Sequence, residues 1–251
     1  MSRERITSRK NPLLQHVRRL LSSRSYREQA GEYAADGAKL LQEAVRWIPG
    51  QLRTVLVTQR ADPGPLPEQV RLVELPDDVM AQISPMESPQ GVLFTCALPP
   101  RQPLELQQQC LVLDGIQDPG NLGTMLRTAD AMEIPVVLTP GCADAYNPKT
   151  VRASMGAVFR AAPQWAEQAD VVRWCRQREI PLYVTALSPR AEDIRSADLS
   201  RAALVIGSEG RGVGAYFLQN ADRELIIPMN SRCESLNAAI AAALVMWEMR
   251  R

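Results

Sequence analysis

Three short segments in the second half of the chain combine glycines with polar side chains that can do chemistry. They read DPGNLGTMLRTA (Asp118–Ala129), GSEGRGVG (Gly207–Gly214) and IPMNSRCESLN (Ile227–Asn237). Together they supply side-chain amides, carboxylates, hydroxyls and a guanidinium, which are groups that bind and orient polar ligands.

The first segment predicts a turn followed by a helix. Pro119 and Gly120 favour the turn, and the helix is expected to begin near Asn121. The Asn121 amide then stands at a helix N-terminus, where free N–H groups favour anions and polar ligands. Arg127 follows on the same helix, and its planar guanidinium can bind a phosphate through two hydrogen bonds. An Asn that only caps the helix and an Arg that only faces solvent fit the same pattern.

The second segment is rich in glycine, which lets backbone N–H groups approach a ligand closely. Its glycines are Gly207, Gly210, Gly212 and Gly214. A dinucleotide-binding fold places GxGxxG after its first strand, whereas this cluster lies late in the chain and reads GRGVG. The sequence contains no GxxxxGK[ST] motif. These observations argue against dinucleotide-binding and nucleotide-hydrolysing proteins.

The composition excludes several classes of protein. The chain has 251 residues, of which 45% are hydrophobic, and no apolar run approaches the length of a membrane span. The N-terminus lacks the hydrophobic stretch of a secretion signal, so we expect a cytoplasmic protein. The five cysteines are widely spaced, odd in number and free of CxxC pairs. We expect reduced, mostly structural thiols and no metal site.

The net charge is only +1, but positive charge is concentrated in residues 1–27. This segment carries eight arginines and lysines against one glutamate. Such a segment suits a polyanion, because neutralised phosphates release counterions. A solvated helix face is the alternative.

The chain is expected to divide at Leu98–Pro103, where three prolines interrupt helix and strand patterns. Upstream, residues 1–98 predict a small α/β domain with helices over Asn11–Ser22 and Lys39–Trp47 and strands over Thr54–Thr58 and Gly91–Thr95. Downstream, residues 105–251 predict a parallel α/β sheet, because apolar runs alternate with helix-like segments. The runs are Cys110–Asp114, Val136–Thr139, Leu182–Ala186, Ala203–Ile206 and Glu224–Ile227.

Ligands of open parallel sheets bind at the carboxyl ends of the strands. The three polar segments follow the first, fourth and fifth of these runs. In this order and spacing, they resemble the signature motifs of the SpoU (TrmH-type) branch of the SPOUT superfamily, which are S-adenosylmethionine-dependent RNA 2′-O-ribose methyltransferases. Tyr146–Phe159 resembles the family's segment between the first two motifs. Glu32–Glu43, with Ser88–Gly91, resembles its N-terminal RNA-binding domain.

The chain departs from the family pattern at three positions. Ser208 stands where Asn is common, Ser231 replaces a frequent Gly, and Asp36 stands where Glu is usual. None of these changes removes a chemical group that the reaction needs.

The resemblance implies a fold, a cofactor and an assembly. We expect a deep trefoil knot in the parallel-sheet domain, bound S-adenosylmethionine, and a homodimer formed through the apolar C-terminal helix Asn237–Arg250. That helix is apolar on nearly every face, which predicts burial. The cofactor-binding residues are expected to be Thr185, Ala186, Gly207, Ser208, Gly210, Ile227, Met229 and Leu236.

The resemblance also assigns the chemistry. The expected catalytic residues are Asn121, Arg127, Glu209, Ser235 and Asn237. RNA, more often ribosomal than transfer RNA in members with this N-terminal domain, is the expected substrate. The residues expected to bind it are Arg9, Lys10, Arg18, Arg19 and Arg152.

A mechanism based on histidine is not expected, because the single histidine, His16, lies in the basic N-terminal segment. The resemblance makes Arg127 the central residue. It acts either as a base or as a charged group that grips phosphate and stabilises the developing alkoxide, and the high pKa of guanidinium favours the second role. Two other functions remain open: methylation of a base, as in other SPOUT branches, and RNA binding without catalysis.

Overall fold

The computed structural model describes residues 4–100, 104–105, 109–230, 232–233 and 235–251. These residues form two compact units. Unit 1 comprises Met1–Pro100 with Tyr146–Arg160, and unit 2 comprises Arg101–Ala145 with Ala161–Arg251. Several residues considered above lie outside the described residues, namely Arg3, the linker positions 101–103, Ser231 and Glu234.

The helices and strands of the described residues alternate through most of the chain. The strands are β1 Glu4–Arg5, β2 Glu32–Asp36, β3 Leu52–Thr58, β4 Arg71–Leu75, β5 Val92–Ala97, β6 Cys110–Asp114, β7 Val136–Leu138, β8 Gln164–Trp165, β9 Leu182–Thr185, β10 Glu192–Asp193, β11 Ala203–Gly207 and β12 Arg223–Ile226. The helices are α1 Pro12–Ser22, α2 Arg24–Ala30, α3 Ala38–Trp47, α4 Asp77–Ile83, α5 Pro119–Ala131, α6 Pro148–Ala153, α7 Ala157–Arg160, α8 Gln168–Gln177, α9 Ala215–Asn220 and α10 Ala238–Met249, with short 3-10 helices at Pro49–Gln51 and Ile194–Ser196.

Unit 1 contains a mixed sheet with the strand order β1-β4-β3-β5-β2. Strands β1, β4 and β3 are parallel, and β5 runs antiparallel to both β3 and β2. The carboxyl ends of β1 to β4 and the start of β5 therefore lie at one edge of the sheet. One face of this sheet packs against α1 and α4, whose buried residues include Leu14, Leu20 and Met80.

The segment Tyr146–Arg160 packs within unit 1, although in the sequence it lies between segments of unit 2. The buried ring of Tyr33 on β2 contacts Tyr146, with ring centroids 4.8 Å apart, and stacks near Phe159 at 6.5 Å. Arg160 forms an ion pair with Glu43 of α3. The insertion thus supplies aromatic surface that completes the core of unit 1.

Unit 2 contains a sheet of seven parallel strands in the order β10-β12-β9-β11-β6-β7-β8. Its central strands, β6 and β11, are buried along their whole length. Both faces of a parallel sheet are covered by helices, which explains why these strands are continuous apolar runs and do not alternate. The predicted α/β class is confirmed, as are all five runs expected to form strands in this unit.

The sequence patterns missed β2 and β4 of unit 1 and the short edge strands. The first motif also differs in detail, because α5 begins at Pro119 and its cap is Asp118, whose side chain accepts a hydrogen bond from the Asn121 N–H at 2.8 Å. Asn121 lies in the first turn, so its own side chain is free of capping and points to other partners.

The C-terminal helix α10 differs from expectation in its burial. Its inner face packs on α5 and β11 through residues such as Ala242 and Met246. However, Ile240, Leu244 and Trp247 are exposed, and Trp247 is 67% accessible. Their spacing places them on one side of the helix. The helix is therefore not buried all round within one protomer.

The basic N-terminal segment is partly neutralised by local contacts. Arg9 donates to Asp78 at 2.6 Å, the guanidinium of Arg19 lies 3.8 Å from the centre of the Tyr26 ring, and Arg24 pairs with Glu28 at 3.1 Å. Arg27 is buried and donates to the Leu20 carbonyl at 2.6 Å. Arg27 is thus structural, whereas Arg9 and Arg19 are exposed on the surface of unit 1.

The carboxyl group of Asp36, at the end of β2, gives a stability prediction. Burial raises the pKa of Asp36, while a hydrogen bond from Ser84 at 2.6 Å and the charge of Arg152 oppose the rise. Between the ordinary pKa and the raised one, the folded protein binds more protons than the unfolded chain, so the free energy of unfolding falls as pH increases through this interval. We expect Asp36→Asn to raise the melting temperature at pH 7, with a gain that disappears below the ordinary pKa of 3.8. Calorimetric melting over a pH series measures this, and a gain independent of pH would show that the substitution acts through packing.

Candidate active site

The three polar segments follow the carboxyl ends of three parallel strands of unit 2. The first segment follows β6, the second follows β11 and the third follows β12. Strands β6 and β11 are direct neighbours, and Asp114 at the end of β6 pairs in register with Gly207 at the end of β11. The three segments therefore lie at the carboxyl edge of the sheet, where the sequence predicts them.

The glycine-rich segment folds back on its own strand. The Gly212 N–H donates to the Ser208 carbonyl at 2.9 Å, and the two residues form a β-bridge. A Cβ atom on Gly207 would lie 2.0 Å from the carbonyl carbon of Gly212, and Gly212 has a φ of +64°. Position 207 therefore lacks space for a side chain, and position 212 needs a left-handed backbone that glycine adopts readily.

A buried carboxylate, Asp114, holds the returning part of this segment. One oxygen accepts from Thr139 Oγ1 at 2.7 Å and from Gln168 Nε2 at 2.8 Å, and the other accepts from the Gly214 N–H at 2.8 Å. An ionised carboxylate only accepts hydrogen bonds, so it matches three donors. The sequence analysis treated Asp114 only as the end of a strand. A carboxylate that ends an otherwise apolar, buried strand was the signal for its role.

Asn121, Glu209 and Asn237 form a polar cluster with one member from each segment. Glu209 Oε1 accepts from Asn121 Nδ2 at 2.6 Å and from Asn237 Nδ2 at 3.0 Å. Asn237 Nδ2 also donates to Asn121 Oδ1 at 3.2 Å. The structure thus joins three of the five expected catalytic residues through direct hydrogen bonds.

The same cluster lies at the N-terminus of α10. Asn237 caps this helix by accepting from the Ala239 and Ile240 N–H groups, and Glu209 Oε1 accepts from the Ala238 N–H at 3.2 Å. The positive end of a helix dipole and free N–H groups stabilise a carboxylate. The glycine-rich segment and the third segment are therefore held together through one carboxylate oxygen.

A cavity of about 570 Å³ lies beside this cluster. All eight residues expected to bind the cofactor line it, and so does Ser235. Its apolar wall comes from strand ends and from Leu187, Leu218 and Leu236. Its volume falls in the range of ligand pockets, about 300–1,000 Å³.

Glu224 is a further carboxylate in this cavity that the sequence analysis did not select. It lies on β12, accepts from Arg190 Nη2 at 2.7 Å and is hydrogen-bonded to the Ser188 hydroxyl. These bonds tie the loop after β9 to β12. Because Glu224 sits in an otherwise apolar run, ELII, its polarity was the only sequence signal.

A smaller cavity of about 140 Å³ adjoins the first. It is lined by Ile116, Gln117, Asp118 and Asn121 on one side and by residues 208–211 and Ala238 on the other. Residues 208–211 and Ala238 also line the larger cavity. A wall made of the glycine-rich segment and the start of α10 thus separates two neighbouring spaces, and Glu209 belongs to that wall.

Arg127 lies apart from this cluster. It is exposed on α5 and is not among the residues that line either cavity, and its side chain forms no hydrogen bond or ion pair within the described part of the chain. Within a single protomer, the structure does not bring Arg127 to Asn121, Glu209 and Asn237.

The residues expected to bind RNA lie in unit 1. Arg9, Lys10 and Arg19 are exposed, Arg18 is half-buried, and the charge of Arg152 acts on Asp36. The single histidine, His16, is also in unit 1, where its ring nitrogens contact Tyr26 Oη at 2.9 Å and Glu32 Oε2 at 2.8 Å. The role of His16 is thus to link α1, α2 and β2.

No three His, Cys, Asp or Glu side chains within the described ranges are grouped to hold a metal ion. No helix in the part of the chain that the structure describes is long and apolar enough to cross a membrane.

Comparison with known proteins matches both halves of the chain. Residues 108–247 match the model of the SpoU rRNA Methylase family, and residues 11–93 match that of the MRM3-like substrate binding domain. The chain is 32% identical to the 23S rRNA (guanosine(2553)-2′-O)-methyltransferase RlmP of Bacillus subtilis (strain 168), covering 98% of this chain and 99% of that protein. It is 30% identical to the 23S rRNA (uridine(2479)-2′-O)-methyltransferase of Streptomyces viridochromogenes, covering 98% and 92%.

The fold has close counterparts among solved structures. The AdoMet-bound rRNA methyltransferase from Sinorhizobium meliloti superposes with a TM-score of 0.85 at 28% identity, over 99% of this chain and 97% of that one. The arrangement of three motifs at the carboxyl ends of a parallel sheet and the match over nearly the whole chain agree with each other. The chain belongs to the SpoU rRNA methylase family.

Proposed function

We propose that this protein transfers a methyl group from S-adenosylmethionine to a ribose 2′-hydroxyl of ribosomal RNA in the cytoplasm. The observation that carries the proposal is the pair of adjoining cavities that share one wall, with Glu209, Asn121 and Asn237 at their junction. Transfer between two molecules requires two neighbouring sites with reactive atoms held in contact. The two relatives described above carry 23S rRNA 2′-O-methylation in their names.

The larger cavity suits S-adenosylmethionine. Its apolar strand ends fit a heteroaromatic ring, and Gly207 leaves room that a side chain would fill. The carboxylates of Glu209 and Glu224 face it, and carboxylates attract the positive charges of a sulfonium and an ammonium group. When bound, the cofactor supplies a methyl group activated by positively charged sulfur.

The smaller cavity then receives the ribose. Asn121 and Asn237 are oriented by their shared acceptor, Glu209 Oε1. The other Glu209 oxygen forms no hydrogen bond within the described residues and can accept one from a ribose hydroxyl. Ser235, on the larger-cavity side, offers a hydroxyl that orients the methyl donor. These groups hold and orient the acceptor oxygen, which is a weak nucleophile until its proton leaves.

Arg127 completes the site from a second copy of the chain. Its helix, α5, packs against α10, and α10 exposes the apolar residues Ile240, Leu244 and Trp247. A homodimer formed through this apolar face covers it and brings Arg127 of the partner subunit toward the cluster. Arg127 stays charged, because a guanidinium does not lose its proton near neutral pH, and it binds phosphate and stabilises the developing alkoxide. The trefoil knot in unit 2 stays a prediction.

The test of the proposed function is a map of ribose methylation in ribosomal RNA from cells with and without the gene. We expect one 2′-O-methyl nucleotide to disappear and to return with the wild-type protein. Glu209→Gln should lower the rate of methyl transfer in vitro by about 100-fold, because it removes a charge that orients the acceptor. Nucleoside digestion of the product distinguishes ribose from base methylation. A methyl group on a base, or an unchanged map, would contradict the proposal.

The contacts of Asp114 predict an effect on cofactor binding. In Asp114→Ala, the Gly214 N–H loses its acceptor and the returning part of the glycine-rich segment is released, so we expect the Kd for S-adenosylmethionine to rise about tenfold. Thr139→Val is the matched control, because it removes one hydrogen bond to Asp114 and leaves the Gly214 bond in place. Calorimetric titration measures both, alongside melting temperature. Lower melting temperatures with an unchanged Kd would assign Asp114 to the fold alone.

Mixed dimers test whether Arg127 acts across the dimer. Arg127→Ala and Glu209→Gln alone are each expected to retain about one hundredth of the wild-type activity or less. When the two are co-expressed, half of the dimers are mixed, and one of their two sites then has both residues intact, so about a quarter of wild-type activity should return. Trp247→Glu should give monomers in sedimentation and abolish this recovery, whereas Trp47→Glu, an exposed tryptophan of unit 1, should not. No recovery in stable dimers would place Arg127 in the site of its own protomer.

A further inference from the structure

A cavity of about 360 Å³ in unit 1 is not used by the reaction described above. It lies at the sheet edge where the carboxyl ends of β1 to β4 meet the start of β5, between the turn after β3, helix α4 and the residues that precede β5. Open sheets bind ligands at this edge because loops from several strands converge there. The position therefore matches that of the active site in unit 2, but on a separate sheet.

The backbone around this cavity is closely fitted. The Thr58 N–H donates to the Gly91 carbonyl at 2.9 Å, joining the end of β3 to the residue before β5. Gly91 has a φ of +75°, and a Cβ atom there would lie 2.5 Å from Thr58 Oγ1. The lack of a side chain at Gly91 thus leaves room for Thr58 in the wall of the cavity, and a larger residue would displace Thr58.

The lining combines an apolar floor with polar side chains that can donate or accept hydrogen bonds. Buried Met80 and exposed Ala81 of α4 and Ala61 of the opposite turn supply apolar surface. The amide of Gln90 both donates and accepts, and the carboxylate of Asp77 accepts. Apolar faces with a few polar edge groups are what an unstacked nucleobase needs.

The charge balance favours a base over a phosphate. Arg60 and Asp77 are the charged residues of the lining, so their charges cancel. Their contact is loose, with Arg60 Nε 3.8 Å from Asp77 Oδ2, and the Arg60 side chain is 89% exposed. Exposed pairs of this kind contribute little stability, so either group is available to a ligand. A phosphate pocket would carry net positive charge.

A cationic side chain, Arg9, is held next to the helix that lines the cavity. Arg9 is held by Asp78, the residue next to Asp77, at 2.6 Å, and Lys10 follows it in the sequence. A nucleotide chain whose base enters the cavity can therefore contact the guanidinium of Arg9. Unit 1 also matches the model of a substrate binding domain over residues 11–93.

We propose that the cavity of unit 1 binds an unpaired nucleobase of the RNA substrate. The proposal rests on the proposed function, since it takes RNA as the substrate. Recognition of RNA commonly uses bases that are splayed out of helices, because double-stranded RNA exposes little of its sequence. Unit 1 then selects the RNA by an unpaired base, and unit 2 performs the chemistry.

The test fills the cavity without disturbing the core. In Ala81→Trp, an exposed helix residue gains a side chain that occupies the cavity, and Gln90→Ala removes its amide. The matched controls in unit 1 are Ala30→Trp, at the exposed end of α2, and Gln69→Ala, an exposed amide elsewhere on the unit. The probes are fluorescent single-stranded RNA decamers of A, C, G or U and an RNA duplex of the same length, measured by anisotropy over a salt series.

The full-length wild-type protein should bind at least one single-stranded decamer more tightly than the duplex. Ala81→Trp should weaken that binding about tenfold, since base stacking is lost, at an unchanged dependence on salt. Gln90→Ala should weaken it in the same direction, and both controls should match the wild type. The proposal is overturned if the two variants bind every probe like the wild type, or if they lose affinity for the duplex equally.

A second measurement separates this proposal from the proposed function. Calorimetry with S-adenosylmethionine should give the wild-type Kd for all four variants, because the substitutions lie in unit 1. Failure of the wild-type protein to bind either S-adenosylmethionine or RNA would reject the proposed function. Normal binding of both by the wild type and by Ala81→Trp would reject only the base pocket.

Discussion

The site in unit 2 depends on one buried carboxylate that accepts hydrogen bonds from three donors. Asp114 joins the end of β6 to Thr139, to the start of α8 through Gln168 and to the glycine-rich segment through the Gly214 N–H. Buried ionised groups are costly unless they are fully hydrogen-bonded, so this carboxylate fixes the relative positions of its partners. The shape of the larger cavity follows, because its wall is the segment that Asp114 holds. Glu209 belongs to this wall, and its carboxylate links the wall to the N-terminus of α10.

Much of the site could be predicted from the sequence, and the reason is physical. The carboxyl ends of neighbouring parallel strands meet at one edge, so polar segments that follow apolar runs must lie close together. That argument predicted that the three segments meet at one edge. The choice of Asn121, Glu209 and Asn237, and of the residues expected to bind the cofactor, came from the family resemblance. The specific hydrogen bonds could not be predicted. They depend on the register of β6 and β11 and on the sharp return at Gly212, which are tertiary properties.

Other elements escaped prediction for identifiable reasons. Strand β2 (EYAAD) and strand β4 (RLVEL) are short and each carries two charged residues, so neither shows a clear apolar run. Glu224 and Asp114 are single carboxylates in apolar runs, and only their surroundings reveal their role. The exposed side of α10 could not be predicted from composition. A helix that is apolar on nearly every face has the same sequence pattern whether all of its faces are buried in its own chain or one of them is exposed.

The placement of Tyr146–Arg160 in unit 1 has a consequence for biosynthesis. Tyr33 reaches its final environment only when Tyr146 and Phe159 are present, and these residues leave the ribosome after β6, α5 and β7 of unit 2 have been made. Nascent domains usually fold as units in order of synthesis. Here the N-terminal unit must wait, with part of its aromatic surface uncovered, while a large part of its neighbour is translated. The folding of unit 1 is therefore completed only after part of unit 2 has been synthesised. Neither unit can be exchanged between relatives as a simple N-terminal or C-terminal cassette.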